Sequence, residues 1–161
     1  LHLCDRRQRQ MCIRDRLDTI LKDAVKKFAG QFIRKKLRLS YEPTNAMVLT
    51  DEKWLSFVIE QILSNALKYT NSGTITIDME EPLTLCIRDT GIGIAPEDLP
   101  RVFEKSYTGY NGHNDKKASG IGLYLCKRIC KNLGHTITIQ SSLDSGTVVR
   151  IGLEQSYLQV E

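Results

Sequence analysis

No stretch of this 161-residue sequence approaches the roughly 18 consecutive apolar residues that a membrane-crossing helix needs, so no transmembrane helix is expected. The G-x-x-x-x-G-K-S/T signature is absent too, which excludes the common phosphate-binding loop. There is no internal repeat and no low-complexity tract. An even set of cysteines is also lacking. There are five, and Cys86, Cys126 and Cys130 fall inside apolar periodic segments, where a reduced thiol behaves as a small hydrophobe. A cytoplasmic compartment is the expectation. Charge of one sign is scarce once the chain is divided. The formal net charge is +4, but residues 1–16 (LHLCDRRQRQMCIRDR) hold five Arg against two Asp, and the rest of the chain is nearly neutral. That balance gives no electrostatic footprint for nucleic acid, which is excluded as a partner.

Residues 1–16 also lack an apolar stripe and a cleavable signal-peptide pattern, so they are set aside from the fold. They read either as translated sequencing-adapter sequence or as a basic linker from an upstream region. What is present is 41% apolar residues, 26% charged residues and 11 glycines, the profile of one globular domain over 17–154 with a short tail at 155–161.

Within that domain, Leu17, Ile20, Leu21, Val25, Phe28, Phe32 and Ile33 recur at helical spacing and predict an amphipathic helix over 17–36. Short strands follow at 37–41 and 46–50. Asp51 is placed to cap a second helix over 51–69, which Asn71, Ser72 and Gly73 break. Residues 74–79 and 83–88 alternate apolar and polar around Glu81 and Pro82, the pattern of an antiparallel hairpin with one buried face. A helical turn is expected from Pro96 through Phe103, then a polar loop over 104–119. A helix over 120–133 ends at Gly134, and strands at 136–140 and 147–153 close the chain. Three helices and about six strands imply one mixed sheet covered on one face by helices.

Four patches carry residue types suited to a nucleotide. On the second helix, Gln61, Asn65, Lys68 and Tyr69 share one face. An amide oxygen there can complete the shell of a phosphate-bound Mg²⁺, and a lysine one turn on can neutralise phosphate charge. A solvated polar face is the bland alternative. Directly after a strand comes Asp89-Thr90-Gly91-Ile92-Gly93-Ile94, in which Gly91 and Gly93 let backbone approach a flat ligand. Asp89 can accept from an exocyclic amine, which adenine has where guanine carries a carbonyl oxygen. Pro96 rules out the dinucleotide fingerprint, and an Asp-Gly turn explains the patch equally well in isolation. Ser119-Gly120-Ile121-Gly122-Leu123 opens the last helix, where free N–H groups and the helix dipole favour an anion. Ser145-Gly146-Thr147 alone is an ordinary hairpin turn.

In order and spacing these patches resemble the asparagine box and the three glycine boxes of the catalytic ATP-binding domain of sensor histidine kinases. Phe103 stands as the phenylalanine box. NALKYT, DTGIGI, RVFEKSYTG and SGIGLYLCK carry the resemblance, which spans about residues 17–154. The closest flavour is that of Firmicutes kinases with small membrane sensors responding to bacitracin and cationic peptides.

The resemblance implies the Bergerat fold, a two-layer α/β sandwich shared with DNA gyrase, mismatch-repair ATPases and heat-shock chaperones, its mostly antiparallel mixed sheet carrying three helices. It implies ATP and Mg²⁺, with Asn65 as the metal ligand, Lys68 and Tyr69 facing phosphate and ribose, and Asp89 reading adenine. Gly91, Gly93 and Ile94 would shape the base pocket, Ser119, Gly120, Ile121, Gly122 and Leu123 the triphosphate cradle, and Thr147 would sit near the adenine. Residues 104–119 correspond to a lid that is expected to order on nucleotide, with Lys105 or Lys116 in place of the arginine many members have near Thr108. Gln61 departs from the asparagine of many members and from the water-activating glutamate of the related ATPases. An amide is no general base, which favours a kinase over an ATPase.

Cys126, Cys130 and His135 suggest zinc only weakly, since cysteines four apart on an apolar helix face are core residues far more often. The three histidines are followed by Leu3, Asn114 and Thr136, whereas an acceptor histidine is usually followed by an acidic residue in a helical hairpin. The expected partners are therefore a dimerisation and phosphoacceptor domain of a longer, membrane-anchored homodimer and a downstream response regulator, with no membrane contact by this domain. A self-sufficient ATPase of the same fold, or a nucleotide-binding regulatory module, is the alternative.

Overall fold

The computed structural model describes residues 14–105 and 122–154. Helix α1 (Leu17–Lys35) buries Leu17, Ile20, Leu21, Ala24 and Phe32 and stops at Lys36, whose left-handed backbone turns its N–H back onto the last carbonyls. Helix α2 (Glu52–Tyr69) starts where the sequence places its cap: the Asp51 carboxylate accepts from the N–H groups of Lys53 at 3.0 Å and Trp54 at 3.3 Å. It buries Leu55, Val58, Ile59, Ile62, Leu63, Ala66 and Leu67, a stripe wide enough to pack on the sheet and on both other helices. Helix α3 (Gly122–Leu133) ends at Gly134, whose φ of +77° suits a residue without Cβ.

The main sheet has five strands in the order β2-β4-β5-β7-β6. Strand β2 (Arg38–Tyr41) runs parallel to β4 (Thr74–Glu80), and β5 (Thr84–Asp89), β7 (Gly146–Gly152) and β6 (Thr136–Ser142) continue antiparallel. Register lines up the buried face in rows. Met79, Leu85, Ile151 and Ile137 form one row, and Ile77, Ile87, Val149 and Ile139 the next. The third row, Ile75, Asp89, Thr147 and Ser141, changes from apolar to polar as it crosses from β4 to β6. Because side chains alternate faces with period two, that one row is where polar groups reach the helix-covered side. The opposite face carries a charge network in which Glu80 takes Arg88 and Arg150. These guanidinium groups hold its carboxyl down to about 2.

Two expectations are corrected. The strand expected at 46–50 does not join the main sheet: β3 (Met47–Leu49) pairs antiparallel with β1 (Arg14–Arg16) in a separate two-stranded ribbon. The last three residues of the segment set aside as a leader thus pair with the domain, and Leu17 N–H donates to the Ala46 carbonyl at 3.0 Å. Backbone pairing of this kind asks little of side chains, so no sequence pattern announces it. The helical turn expected from Pro96 through Phe103 is reduced to a 3-10 turn at Leu99–Arg101, where Pro100 cannot donate to continue it. No helix among the described residues is long and apolar enough to cross a membrane.

Cys86, Cys126 and Cys130 are buried free thiols, and burial pushes Cys126 up to about 12 and Cys130 to about 11, so both stay protonated at neutral pH. His135 is buried beside Thr50, with Nε2 2.9 Å from Oγ1, and burial pushes its imidazole down to about 4. Since the unfolded chain takes up that proton near pH 6.5 and the folded chain only near 4, stability is lost as pH falls through this window. The loss expected is about 3 kcal/mol. Chemical denaturation at pH 7 and pH 4.5 checks it, since His135→Gln should flatten that component of the difference.

Candidate functional site

A cavity opens where the polar end of the third row meets α2 and α3. Ile62, Asn65, Ala66 and Tyr69 of α2, Ile87 and Asp89 of β5, Gly93 and Ile94 of the following loop, Leu123 of α3, and Ile139, Thr147 and Val149 of β6 and β7 line it. Seven of the sequence-predicted residues are therefore brought together: Asn65, Tyr69, Asp89, Gly93, Ile94, Leu123 and Thr147. They come from four separate stretches of chain. The cavity is apolar along its walls, from the aliphatic row Ile87, Val149 and Ile139 to Ile62, Ile94 and Leu123, and polar where Asp89 and Thr147 of the third row and Asn65 of α2 line it. An apolar slot with a few directed polar groups suits a flat heteroaromatic ring.

The loop after β5 is held tightly. Asp89 Oδ1 accepts from Gly91 N–H at 2.9 Å, and Ile92 N–H donates to the Tyr69 carbonyl at 3.1 Å. At Gly91 a Cβ would fall 2.4 Å from that same Tyr69 oxygen. Gly93 has φ +75°, and a Cβ there would lie 1.9 Å from the Ser142 carbonyl oxygen, so both glycines are demanded by backbone proximity. Burial raises the Asp89 carboxyl above the ordinary carboxylate value, partly offset by the N–H groups of Gly91 and Thr147 and by the nearby Thr70 hydroxyl. Thr70 is fully buried close to that carboxylate, and its Oγ1 has no partner within strict hydrogen-bond geometry among the described residues.

Next in sequence to the lining residues Ile62 and Leu123, Gln61 of α2 meets Gly122 of α3: a Cβ on Gly122 would come 2.6 Å from Gln61 Oε1. The amide of α2 and the start of α3 thus face each other, where the free N–H groups of a helix end attract anions. Asn65 lies one turn further along α2, and its amide makes no side-chain hydrogen bond among the described residues. Lys68 Nζ sits 5.2 Å from the centre of the Tyr69 ring. Phe103 is partly buried against the core under Lys127, whose Nζ is 5.0 Å from its ring, and Lys105 is exposed at the edge of the described segment. Lys116, Ser119, Gly120 and Ile121, and with them most of the expected lid at 104–119, lie outside the described residues.

The sequence reading missed Thr70 and Ser141 and placed Ile87, Ile139 and Val149 only within expected strands. The strand residues carry a usable signal, since they share a face with Asp89 and Thr147 by period two. Ser141 has none, because its place beside Thr147 depends on the pairing register of β6 and β7.

Residues 50–156 match the family model described as histidine kinase-, DNA gyrase B- and HSP90-like ATPase. The chain is 37% identical over 134 residues to the sensor protein BceS of Halalkalibacterium halodurans, an alignment covering 81% of this chain and 40% of that protein. It thus spans about two fifths of the length of the curated relatives it matches. The catalytic domain of histidine kinase ThkA, in a nucleotide-free form, superposes with a TM-score of 0.76 at 18% identity, covering 89% of this chain and 97% of that one. Full-length ShkA in complex with AMPPNP superposes at 0.73 and 19% identity, covering 89% of this chain and 32% of that one. At such identities these likenesses establish a common fold.

Proposed function

We propose a function from one premise, that this chain belongs to the family of histidine kinase-, DNA gyrase B- and HSP90-like ATPases. It is the ATP-binding catalytic domain of a two-component sensor histidine kinase, and it passes the γ-phosphoryl group of Mg-ATP to a histidine on a dimerisation and phosphoacceptor domain outside these 161 residues. A response regulator then receives the phosphoryl group, and the whole protein works as a homodimer in a bacterial membrane with this domain on the cytoplasmic side. The observation that carries the reading is the joint placement of Asp89, Thr147 and Asn65 around one apolar slot, with Gln61 of α2 facing Gly122 of α3 beside its lining residues Ile62 and Leu123.

In this reading the adenine lies against Ile87, Val149 and Ile139 with its exocyclic amine on Asp89. The triphosphate runs toward the start of α3, where Gly122 leaves room for it and Lys68 offsets its charge. Asn65 fits the metal, being a neutral oxygen donor on that path with its amide uncommitted among the described residues. Mg²⁺ when bound neutralises charge on the phosphate oxygens. Gln61 holds an amide where a hydrolase would need a base, so water is not activated and the phosphoryl group is kept for a protein acceptor. His135 cannot serve as that acceptor, because it is buried against Thr50 at the far end of α3.

Incubated alone with radiolabelled Mg-ATP, the chain should bind nucleotide and remain unlabelled. Adding the helical-hairpin acceptor domain of a BceS-type relative should produce acid-labile phosphohistidine on that partner, slowly because the covalent link that raises effective concentration is missing. Rapid release of free phosphate without a partner would instead establish the ATPase reading.

A further inference from the structure

At the polar end of the slot, Ser141 Oγ makes three contacts at 2.8 Å: with the Gly146 carbonyl oxygen, the Ile94 N–H and Thr147 Oγ1. A serine hydroxyl has one proton and two lone pairs. A carbonyl oxygen only accepts, so the serine proton goes to Gly146, and a backbone N–H only donates, so one lone pair takes Ile94. The contact with Thr147 then has a single solution, in which the threonine hydroxyl donates to the remaining lone pair. With its proton spent on Ser141, Thr147 turns only lone pairs toward the cavity it lines.

We infer that Ser141 is a positioning residue for base selection: it fixes the Thr147 hydroxyl as an acceptor, so that Asp89 and Thr147 together present two acceptors to the two N–H groups of a purine 6-amine. The two residues are directly opposed partners on β5 and β7, and Ser141 opposes Thr147 from β6. A purine with a 6-carbonyl would face acceptors on both sides, leaving two protein acceptors unpaired where a single reader would leave one, besides the carbonyl itself. The inference rests on the reading that the slot holds adenine with its amine on Asp89. It adds a residue outside the cavity lining that sets the polarity of one inside it. Ser141 also ties the Gly93–Ile94 loop to the β6–β7 turn, which Asp144 N–H does a second time by donating to the Ile92 carbonyl at 2.8 Å.

The test compares ATP with inosine triphosphate, which carries a 6-carbonyl, by calorimetric titration of this chain. In Ser141→Ala the Thr147 hydroxyl is released and can turn its proton toward the base, so the ATP-over-inosine preference should shrink about tenfold, chiefly through tighter inosine triphosphate binding. Ser141→Thr keeps the hydroxyl and should keep the preference. Thr147→Val, which does not depend on Ser141→Ala folding, should weaken ATP about tenfold and leave inosine triphosphate as tight or tighter. An unchanged preference in Ser141→Ala, or equal weakening of both nucleotides in Thr147→Val, overturns the inference while the Asp89 reading stands. A wild-type chain that binds both nucleotides equally overturns the adenine reading and the inference with it.

Discussion

Asp89→Asn lowers affinity for ATP by about 10- to 100-fold and leaves the fold intact. The carboxylate offers only lone pairs. One oxygen is committed to Gly91 N–H at 2.9 Å, and what remains faces the cavity as an acceptor. An asparagine whose oxygen stays on Gly91 must point its NH₂ group at the amine of adenine, donor against donor, and the reverse orientation unpairs Gly91. Folding should be spared because the substitution removes a buried charge that desolvation disfavours. The pH dependence separates the two effects. With its carboxyl held above the ordinary value, Asp89 is protonated more readily in the folded chain than in the unfolded one. Acid therefore favours the folded state at this position. Binding moves the other way, because the protonated carboxyl loses acceptor capacity. Nucleotide affinity should decline at a higher pH than an exposed aspartate would impose. Titrations of wild type and Asp89→Asn over a descending pH series check this, the decline being steeper in wild type and the difference between the two isolating Asp89.

The largest effect on stability is expected at Gly146. Its φ is +88°, and a Cβ there would stand 1.9 Å from the Asp89 carbonyl oxygen and 3.1 Å from Thr90 Cα. Both neighbours are backbone, at the last residue of the paired strand and the residue after it, so neither can swing aside as a side chain could. Gly146→Ala must either strain the turn or push β7 away from β5 at the Asp89–Thr147 pair, and a cost of about 3 kcal/mol or more follows. Nucleotide binding should fall with it, because the same displacement separates the two acceptors of the slot. Gly30 is the internal contrast. It lies on an exposed face of α1 with nothing within 4 Å of a Cβ, so Gly30→Ala should stabilise by about 0.5–1 kcal/mol. Urea denaturation of both variants reads the opposite signs directly, and a Gly146→Ala chain as stable as wild type would mean that the turn is not held against β5.

Much of the architecture is written in local pattern. The stripe Leu17, Ile20, Leu21 and Phe32 specifies α1 because residues three and four apart share a helix face, and Asp51 marks the start of α2 because its carboxylate can satisfy two N–H groups the helix leaves open. The β4–β5 hairpin follows from alternation around Glu81 and Pro82. The motif residues were legible too, since glycines, an aspartate and an amide-bearing helix face are chemically distinctive in themselves.

What the sequence could not determine is which of these local pieces meet. That Asp89, Thr147 and Ser141 stand in one row depends on the register of three strands, two of which are separated by more than fifty residues of chain. A shift by one residue would send the same side chains to the opposite face. That β3 leaves the main sheet for β1 was decided by where α1 begins, immediately after Arg16, and by the Leu17–Ala46 hydrogen bond, neither of which has a side-chain signature. The proton of Thr147 is settled at the same level: one serine, read alone, is only a small polar residue, and it acquires a direction when a carbonyl, an amide and a hydroxyl converge on it. Sequence determined the elements and the chemical groups through short-range periodicity and capping. Long-range pairing, which no local pattern encodes, decided the polarity of the site.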